Sequence, residues 1–224
     1  MKKYAIIVAG GSGTRMGGSV PKQFQILHKL PVLMHTIERF YTYDNTISII
    51  LVLPQSQVDY WHSLCDEYKF IIPHEIAIGG ATRFQSVSNG LKLIKNDGIV
   101  AVHDGVRPLV SLETLNRCFE EALKFGTAIP VISPSESVRI VDENKSHAID
   151  RSTVRLVQTP QVFQTDILLK SYNTDYCDKF TDDASVVEKT GYKIHTTEGN
   201  RENIKLTTPD DMIFAEAILS KSTI

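Results

Sequence analysis

The chain has 224 residues, of which 42% are hydrophobic, and a formal net charge of −2. This length suits one large domain with a substantial apolar core, and we expect a single domain over residues 1–224. A near-neutral charge excludes the overall positive field that attracts nucleic acid, so any cations that matter must be clustered locally.

The cysteines and the lengths of the apolar runs indicate in which cellular compartment the protein is located. Three widely spaced cysteines (Cys65, Cys118 and Cys177) match neither a disulfide framework nor a zinc site, and we expect each to fill the core. The N-terminal stretch does not resemble a signal peptide, and no apolar run reaches the roughly 20 residues that span a bilayer. We therefore expect a soluble, cytoplasmic protein with no membrane partner.

The first predicted strand, residues 4–9, runs directly into a glycine-rich loop over residues 10–18. Glycine lets backbone N–H groups approach an anion closely, and Arg15 and Lys22 add two positive charges. A flexible surface loop is the alternative, but it explains neither the strand nor the cations. The pattern predicts a polyphosphate site.

Two standard phosphate loops do not fit this segment. A Walker loop requires lysine directly after its last glycine, and no glycine in the chain is followed by lysine. The dinucleotide fingerprint fails because the pattern from Gly11 is one residue too long and the second strand ends at Leu53-Pro54 without an acid. The loop must therefore grip phosphate with its own cations.

Apolar runs alternate with amphipathic stretches along the first 132 residues. The predicted strands are 4–9, 47–53, 99–102 and 128–132, and the predicted helices are 31–41, 55–68, 82–95 and 111–125. Ser111 is a plausible N-cap and Gly126 a plausible stop for the last of these helices. This alternation predicts an α/β fold with a doubly wound, mostly parallel, Rossmann-like sheet, which binds ligands at the carboxyl ends of its strands.

The alternation breaks after residue 132. Extended segments at 138–141 and 153–157 flank a polar stretch, and together they predict a projecting β-arm at about residues 133–157. Such an arm serves dimer contacts or is an ordinary surface hairpin. Helices are then predicted at 165–172, at 182–190 and from Thr208-Pro209 onward.

Four further clusters lie where strand or arm ends converge. The turn at 79–86 offers backbone amides and Ser86 to a base edge, or is a plain turn capped by Thr82. Asp104 follows a buried strand and can hold a metal ion or a ribose hydroxyl, whereas we expect Arg107 to pair with an acid and stiffen the loop. The segment from Arg151 to residue 161 carries a cation and a hydroxyl. Lys205 reaches the same crevice or is simply solvated.

Six motifs, in order across nearly the whole chain, carry a family resemblance. They are A-x-G-x-G-x-R-M-G from Ala9, P-K-Q from Pro21, H-D-x-x-R-P from His103, Q-T-P-Q from Gln158, T-D-D-A-S from Thr181 and N-I-K-x-T-x-P-x-D from Asn203. Together they resemble the 2-C-methyl-D-erythritol 4-phosphate cytidylyltransferases of non-mevalonate isoprenoid biosynthesis. The resemblance implies transfer of CMP from CTP to that alcohol phosphate, with Mg²⁺, by a homodimer in which the arm of one subunit completes the other's site.

The resemblance also implies residue roles. Arg15, Lys22, Arg151 and Lys205 are the catalytic cations, with Arg15 and Lys22 on the triphosphate and Arg151 supplied across the dimer. The nucleotide is bound by Ala9, Gly10, Gly11, Gly13, Gly80, Ser86, Asp104 and Gly105, and Asp104 is also the metal-side acid. The substrate phosphate is bound by Ser137, Arg151, Thr159 and Lys205. The chain departs from the family at Ala81, where many relatives carry an acid, and in a longer 130–139 segment.

The chemistry agrees with these roles, because a phosphate monoester is already mostly ionised near pH 7 and needs no general base. Positioning and cationic clamping then supply the catalysis. A ribitol-5-phosphate cytidylyltransferase shares most of the motifs, and a non-catalytic CTP-binding sensor shares the fold. These two alternatives remain open at this point, whereas a nicotinamide-dependent dehydrogenase fails at the fingerprint.

Overall fold

The computed structural model describes residues 1–10, 20–143 and 145–221. The strands are β1 (Lys2–Val8), β2 (Ile26–Leu27), β3 (Leu30–Pro31), β4 (Ser48–Leu53), β5 (Glu75–Ile78), β6 (Gly98–Asp104), β7 (Thr127–Ile132), β8 (Arg139–Asp142), β9 (Lys145–Ala148), β10 (Leu156–Val157), β11 (Gln161–Gln164) and β12 (Thr196–Glu198). The α-helices are α1 (Val32–Tyr43), α2 (Val58–Tyr68), α3 (Arg83–Leu91), α4 (Leu112–Phe125), α5 (Thr165–Tyr172), α6 (Asp183–Lys189) and α7 (Pro209–Lys221).

The central sheet is mixed but mostly parallel. Its order across the described chain is β10-β7-β11-β6-β1-β4-β5, with β12 beside β7. Strand β1 pairs in parallel with β4 and β6, and β4 pairs in parallel with β5. Strand β11 lies antiparallel between β6 and β7. The predicted α/β class and the four predicted strands are confirmed, whereas β11 was missed because its Q-V-F-Q sequence is too short to show a pattern.

The sheet is covered on both faces, as a doubly wound fold requires. Alternate residues of β1 enter different cores: Ala5 and Ile7 pack with Trp61 of α2, whereas Ile6 packs with Val87 of α3 and with residues of α5 and α6. Because successive side chains of a strand point to opposite faces, an all-apolar strand is stable only between two layers of helices. This explains why the predicted strands showed no polar alternation.

The helix ends follow local chemistry. The Ser111 side chain accepts a hydrogen bond from the Thr114 N–H, and Gly126 ends α4 with φ +87°, as predicted. Thr82 caps α3 in a reciprocal pair with Gln85, and the helix ends at Leu91 rather than at residue 95. None of the described helices has the length and apolar content needed to cross a membrane.

The arm is built differently from the prediction. Strand β8 pairs with β9 at residues 145–148, while residues 156–157 return to the sheet as β10 against β7. All eight residues of the β8–β9 ribbon are exposed, so β9 carries no apolar alternation from which sequence reasoning could identify it. The expected pairing of 138–141 with 153–157 was therefore wrong, although a ribbon is present within 133–157.

Candidate active site

A cleft of about 280 Å³ opens at the carboxyl ends of β1 and β6. Its lining residues within the described part of the chain come from five segments, namely Val8, Ala9, Gly10, Lys22, Gln23, Gly80, Ala81, Thr82, Arg83, Ser86, Asp104, Val106 and Lys205. Parallel pairing places Val8 beside Asp104 at the same edge of the sheet. This is the edge at which open α/β sheets bind their ligands.

The cleft collects most of the predicted nucleotide-binding residues. Of the eight residues in that set, the cleft is lined by Ala9, Gly10, Gly80, Ser86 and Asp104, and the predicted catalytic cations Lys22 and Lys205 line it as well. The predictions for Gly11, Gly13 and Arg15 fall outside the described residues. The cleft is not lined by Gly105, Ser137, Arg151 or Thr159.

One nearly buried carboxylate that lines the cleft contacts three cations of the described chain. Asp104 Oδ2 lies 3.0 Å from Lys205 Nζ and 3.3 Å from Arg107 Nε, while Oδ1 lies 3.7 Å from Arg83 Nε. Burial alone would raise the pKa of Asp104, but Arg83, Lys205 and Arg107 together hold it far below its usual range. The carboxylate is therefore charged at neutral pH and fixes Lys205 in the cleft, and Arg107 pairs with an acid as expected.

The turn that contains Gly80, just before α3, is held by hydrogen bonds to Ser86 of that helix. Ser86 Oγ accepts a hydrogen bond from the Gly80 N–H at 3.1 Å and donates to the Thr82 carbonyl at 2.9 Å. A Cβ on Gly80 would lie 2.4 Å from the Gln85 Cβ, so only glycine fits there. The turn presents the first residues of α3 to the cleft, and a helix N-terminus favours a bound anion.

The P-K-Q segment is tied to the end of β1. Gln23 is buried, and its Nε2 donates to the Ala9 carbonyl at 3.0 Å and to Gln57 Oε1 at 2.7 Å. Lys22 begins a short 3-10 helix, Lys22–Phe24, and lines the cleft. Gln23 thus holds its neighbour Lys22 opposite the end of β1. One signal in the sequence pointed to this role of Gln23, namely its position next to Lys22.

Arg83 is a cleft residue for which sequence reasoning assigned no role. Its guanidinium makes two hydrogen bonds to Asp183, at 2.8 and 2.7 Å, and the Tyr172 hydroxyl donates to the same carboxylate at 2.6 Å. Burial opposes the charged form, yet Asp183 raises the pKa of Arg83 overall. The T-D-D-A-S motif therefore contributes a fully buried anion that holds Arg83 toward the cleft.

Behind Asp104 lies a buried polar network. The Asp104 N–H donates to Thr159 Oγ1 at 3.1 Å, and Thr159 Oγ1 lies 3.1 Å from His103 Nδ1. His103 is fully buried, and this burial lowers its pKa to about 4. Asn203 Nδ2 donates to the Thr159 carbonyl at 2.7 Å. Thr159 is therefore a buried neighbour of the cleft and does not line it.

Comparison with known proteins gives a consistent result. Residues 4–221 match the family model for 2-C-methyl-D-erythritol 4-phosphate cytidylyltransferase, IspD. The chain belongs to this family. Proteins bearing that name from Phocaeicola vulgatus and Bacteroides thetaiotaomicron are 52% and 50% identical to it over 219 residues, which cover 98% of this chain and 100% of each relative.

Solved structures of IspD proteins share the fold. A crystal structure of 4-diphosphocytidyl-2C-methyl-D-erythritol synthase from Anaerococcus prevotii superposes with a TM-score of 0.83 at 28% identity, covering 98% of both chains. A cytidylyltransferase of the family from Thermus thermophilus gives a TM-score of 0.79 at 28% identity, covering 98% of this chain and 100% of that one. The family and the fold predicted from the motifs are thus confirmed.

Besides Thr159, two of the residues expected at the substrate phosphate lie outside the cleft. Ser137 is exposed just before β8. Arg151 is exposed in a short 3-10 helix, Arg151–Thr153, and donates to the Ser135 carbonyl at 2.7 Å. Together with Arg155 and Arg201, Arg151 lines a separate groove at the base of the arm.

The glycine after Asp104 has a packing role in this IspD chain. The Gly105 N–H donates to the Val8 carbonyl at 2.8 Å, and a Cβ at Gly105 would lie 2.9 Å from the Ala9 Cβ. Glycine therefore allows the ends of β1 and β6 to close against each other. Ala81, the departure noted in the sequence, lines the cleft with a methyl group and contributes no charge there.

Proposed function

We propose that this chain transfers CMP from CTP to 2-C-methyl-D-erythritol 4-phosphate and releases pyrophosphate, as a step of non-mevalonate isoprenoid biosynthesis. The observation that carries the proposal is the convergence, in a cleft of an IspD-family chain, of Lys22, Arg83 and Lys205 with the turn before α3. Three cations and a helix N-terminus suit a triphosphate and a phosphate monoester better than any neutral ligand.

The reaction needs charge stabilisation more than proton transfer. The second ionisation of a phosphate monoester has a pKa of about 6, so the attacking oxygen is mostly deprotonated at neutral pH. It forms a bond to the α-phosphorus of CTP, and the bond from that phosphorus to the bridging oxygen of the β-phosphate breaks. Lys22 and Lys205 reduce the repulsion between the two anions and stabilise charge on the departing pyrophosphate.

Asp104 gives this set of cations its geometry. Because Oδ2 contacts both Lys205 and Arg107, the carboxylate offsets the repulsion between two cations, of which Lys205 lines the cleft. Within the part of the chain that the structure describes, Oδ1 is approached only by Arg83, at 3.7 Å, so it is suited to be one ligand of a divalent cation. Among the described residues no group of three or more His, Cys, Asp or Glu side chains forms a metal cage, but Mg²⁺ is commonly held by one carboxylate plus substrate phosphates. We propose Mg²⁺ on Asp104, where it would neutralise phosphate charge.

A pyrophosphate-release assay with two alcohol phosphates tests the function. We expect turnover with CTP and 2-C-methyl-D-erythritol 4-phosphate, and little with CTP and ribitol 5-phosphate. Turnover of ribitol 5-phosphate alone would instead show the related ribitol-5-phosphate cytidylyltransferase. Binding of CTP without release of pyrophosphate from either alcohol would show a non-catalytic sensor.

We also propose that the enzyme is a homodimer whose arm completes the partner's cleft. Ser137 and Arg151 lie outside the cleft of their own chain, and the exposed ribbon carries Ile140 and Val141, of which 45% and 74% of the surface is accessible. Apolar side chains on an exposed ribbon favour burial against another chain.

We further propose a cytoplasmic location. None of Cys65, Cys118 and Cys177 is in a disulfide, which is typical of proteins in a reducing compartment.

A mixing experiment tests the homodimer with two separately inactive variants, Lys22→Ala and Arg151→Ala. If Arg151 acts across the dimer, each mixed dimer contains one site with both residues intact. Refolding an equal mixture should then restore about a quarter of the wild-type rate, because half of the random dimers are mixed and each has one working site. If Arg151 acts within its own chain, the mixture will stay inactive.

A further inference from the structure

The network behind the cleft is a closed ring of hydrogen bonds. Arg107 Nη1 donates to the Asn203 carbonyl at 2.7 Å, and Asn203 Nδ2 donates to the Thr159 carbonyl at 2.7 Å. Thr159 Oγ1 then contacts His103 Nδ1, and His103 Nε2 lies 3.0 Å from the Arg107 carbonyl, which closes the ring. The ring ties together three segments that are distant in sequence.

The direction of each bond in the ring follows from what each atom can do. A carbonyl oxygen only accepts, so His103 Nε2 must carry the proton that it shares with the Arg107 carbonyl. The partners of the two ring nitrogens, a carbonyl and a hydroxyl, carry no charge, and the side chain is fully buried. The imidazole is therefore neutral and its Nδ1 is an acceptor, which means that the Thr159 hydroxyl donates to it.

The hydroxyl of Thr159 is then fully committed. It accepts from the Asp104 N–H and donates its only proton to His103. Its side chain is 6% exposed and does not line the cleft. A hydroxyl in this state has no proton left for a substrate phosphate, which is the contact that the family resemblance implies for it.

We propose that His103 and Thr159 are a pair of positioning residues that set the geometry of Asp104 and Lys205, and that Thr159 does not bind the substrate. The Thr159 hydroxyl holds the backbone of Asp104, and its carbonyl holds Asn203, two residues before Lys205. The pair therefore sets both partners of the 3.0 Å contact between Lys205 and Asp104. This inference rests on the proposed function for its effect on rate, but not for the direction of its hydrogen bonds.

Kinetics of four variants test the effect on rate. Thr159→Val and His103→Leu should each lower kcat about ten- to a hundred-fold, because a misplaced catalytic group costs rate without loss of binding. The KM for the alcohol phosphate should change no more than the KM for CTP. Thr159→Ser keeps the hydroxyl and should recover most of kcat. The double variant should be no slower than the slower single variant, since the two residues act as one unit.

Thr165→Val is the matched control. Thr165 is equally buried, and its hydroxyl accepts from the Gly98 N–H at 3.0 Å at the opposite end of β6. It should lower stability about as much as Thr159→Val without lowering kcat of the folded enzyme. A selective rise in the KM for the alcohol phosphate in Thr159→Val, with His103→Leu unaffected, would show a direct phosphate contact and overturn the proposal.

Nitrogen-15 NMR of the histidine rings tests the bond directions in the wild-type protein, without substrate. We expect the His103 ring to be protonated at Nε2 only, with a hydrogen-bonded Nδ1 whose chemical shift moves in Thr159→Val. A ring protonated at Nδ1, or at both nitrogens, would release the Thr159 proton and refute the proposal. An enzyme with no cytidylyltransferase activity would refute the proposed function but leave this NMR result meaningful.

Discussion

At the scale of single residues, the cleft depends on how cations are held. Lys205 and Arg107 share one oxygen of Asp104, while Arg83 is held by the separate carboxylate of Asp183. Each cation therefore has a fixed position before any phosphate arrives. Preorganised charges of this kind need no rearrangement in the transition state, which is the main source of electrostatic catalysis.

Lys22→Ala should lower kcat/KM by about a hundred- to a thousand-fold, which is the usual cost of losing one charge-stabilising group in a transition state. The fold should be retained, because Gln23 still ties this segment to Ala9 at the end of β1. Pyrophosphate release measures the rate, and Lys95→Ala is the control because Lys95 is an exposed lysine outside the cleft. Near-normal turnover of Lys22→Ala would remove Lys22 from the proposed mechanism.

The three cysteines should differ in their reactivity. Cys118 is fully buried, and burial raises its pKa to about 12, whereas Cys65 is half-buried with a pKa raised to about 11. Cys65 packs against the core, whereas Cys177 is partly buried and belongs to none of the described core clusters, so the expectation that all three fill the core was wrong for Cys177. Because the thiolate is the reactive form, iodoacetamide at pH 8 should leave Cys118 unmodified until denaturant is added. Mass spectrometry of the labelled peptides checks this, and early labelling of Cys118 would contradict it.

At the scale of elements, one ion pair between the partly exposed Arg83 and the fully buried Asp183 joins three helices to the cleft. Arg83 begins α3, Asp183 begins α6, and Tyr172 ends α5. Burial and the neighbouring Asp183 raise the pKa of Tyr172 well above its ordinary value, so its hydroxyl stays protonated and donates. The three helices therefore pack around one shared charge.

Arg83→Met should destabilise the protein by about 3–5 kcal/mol, because it leaves the fully buried Asp183 carboxylate without its cation. Tyr172→Phe is the milder comparison, since it removes one hydrogen bond and keeps the ring that stacks on Phe84; we expect about 1–2 kcal/mol. Urea unfolding measures both changes. Equal losses in the two variants would show that the ion pair is not the dominant contact.

At the scale of the whole molecule, acid stability contains a contribution from Asp44, which follows α1. Hydrogen bonds from Thr46 and Lys3 lower the pKa of Asp44 to about 2 in the folded state, against an ordinary value of 3.8. A carboxyl with a lowered folded pKa stabilises the fold above the unfolded pKa, and this stability is lost as the pH falls from about 4 through about 2. The contribution is at most about 2.5 kcal/mol.

Comparison of Asp44→Asn with the wild type measures this contribution. The two unfolding free energies should differ at pH 6 and converge as the pH falls below 3. Thr46→Val should show a smaller difference of the same kind, because it removes only one of the hydrogen bonds to Asp44. A constant difference between Asp44→Asn and the wild type from pH 6 to pH 2 would contradict the assignment.

Much of the fold could be predicted because its signals are local. The parallel strands are continuous apolar runs, and Ser111 and Gly126 mark the ends of α4 through short-range chemistry. The ribbon partner β9 could not be predicted, since a strand exposed on both faces needs no apolar pattern. The position of Arg151 outside its own cleft was expected from the family resemblance alone, because no local pattern reports which cleft an arm reaches.

The amino-acid sequence by itself determined the α/β class, the family and two of the cations that line the cleft, Lys22 and Lys205, because periodicity, turn chemistry and motifs lie in short segments. Only the tertiary structure decided which residues become partners in hydrogen bonds and ion pairs. Arg83 and Asp183 are 100 positions apart, and Thr159 meets His103 across 56 positions. A buried charge or hydroxyl takes whichever partner the packing brings within about 3 Å, and that partner is set by how strands and helices converge, not by spacing along the chain.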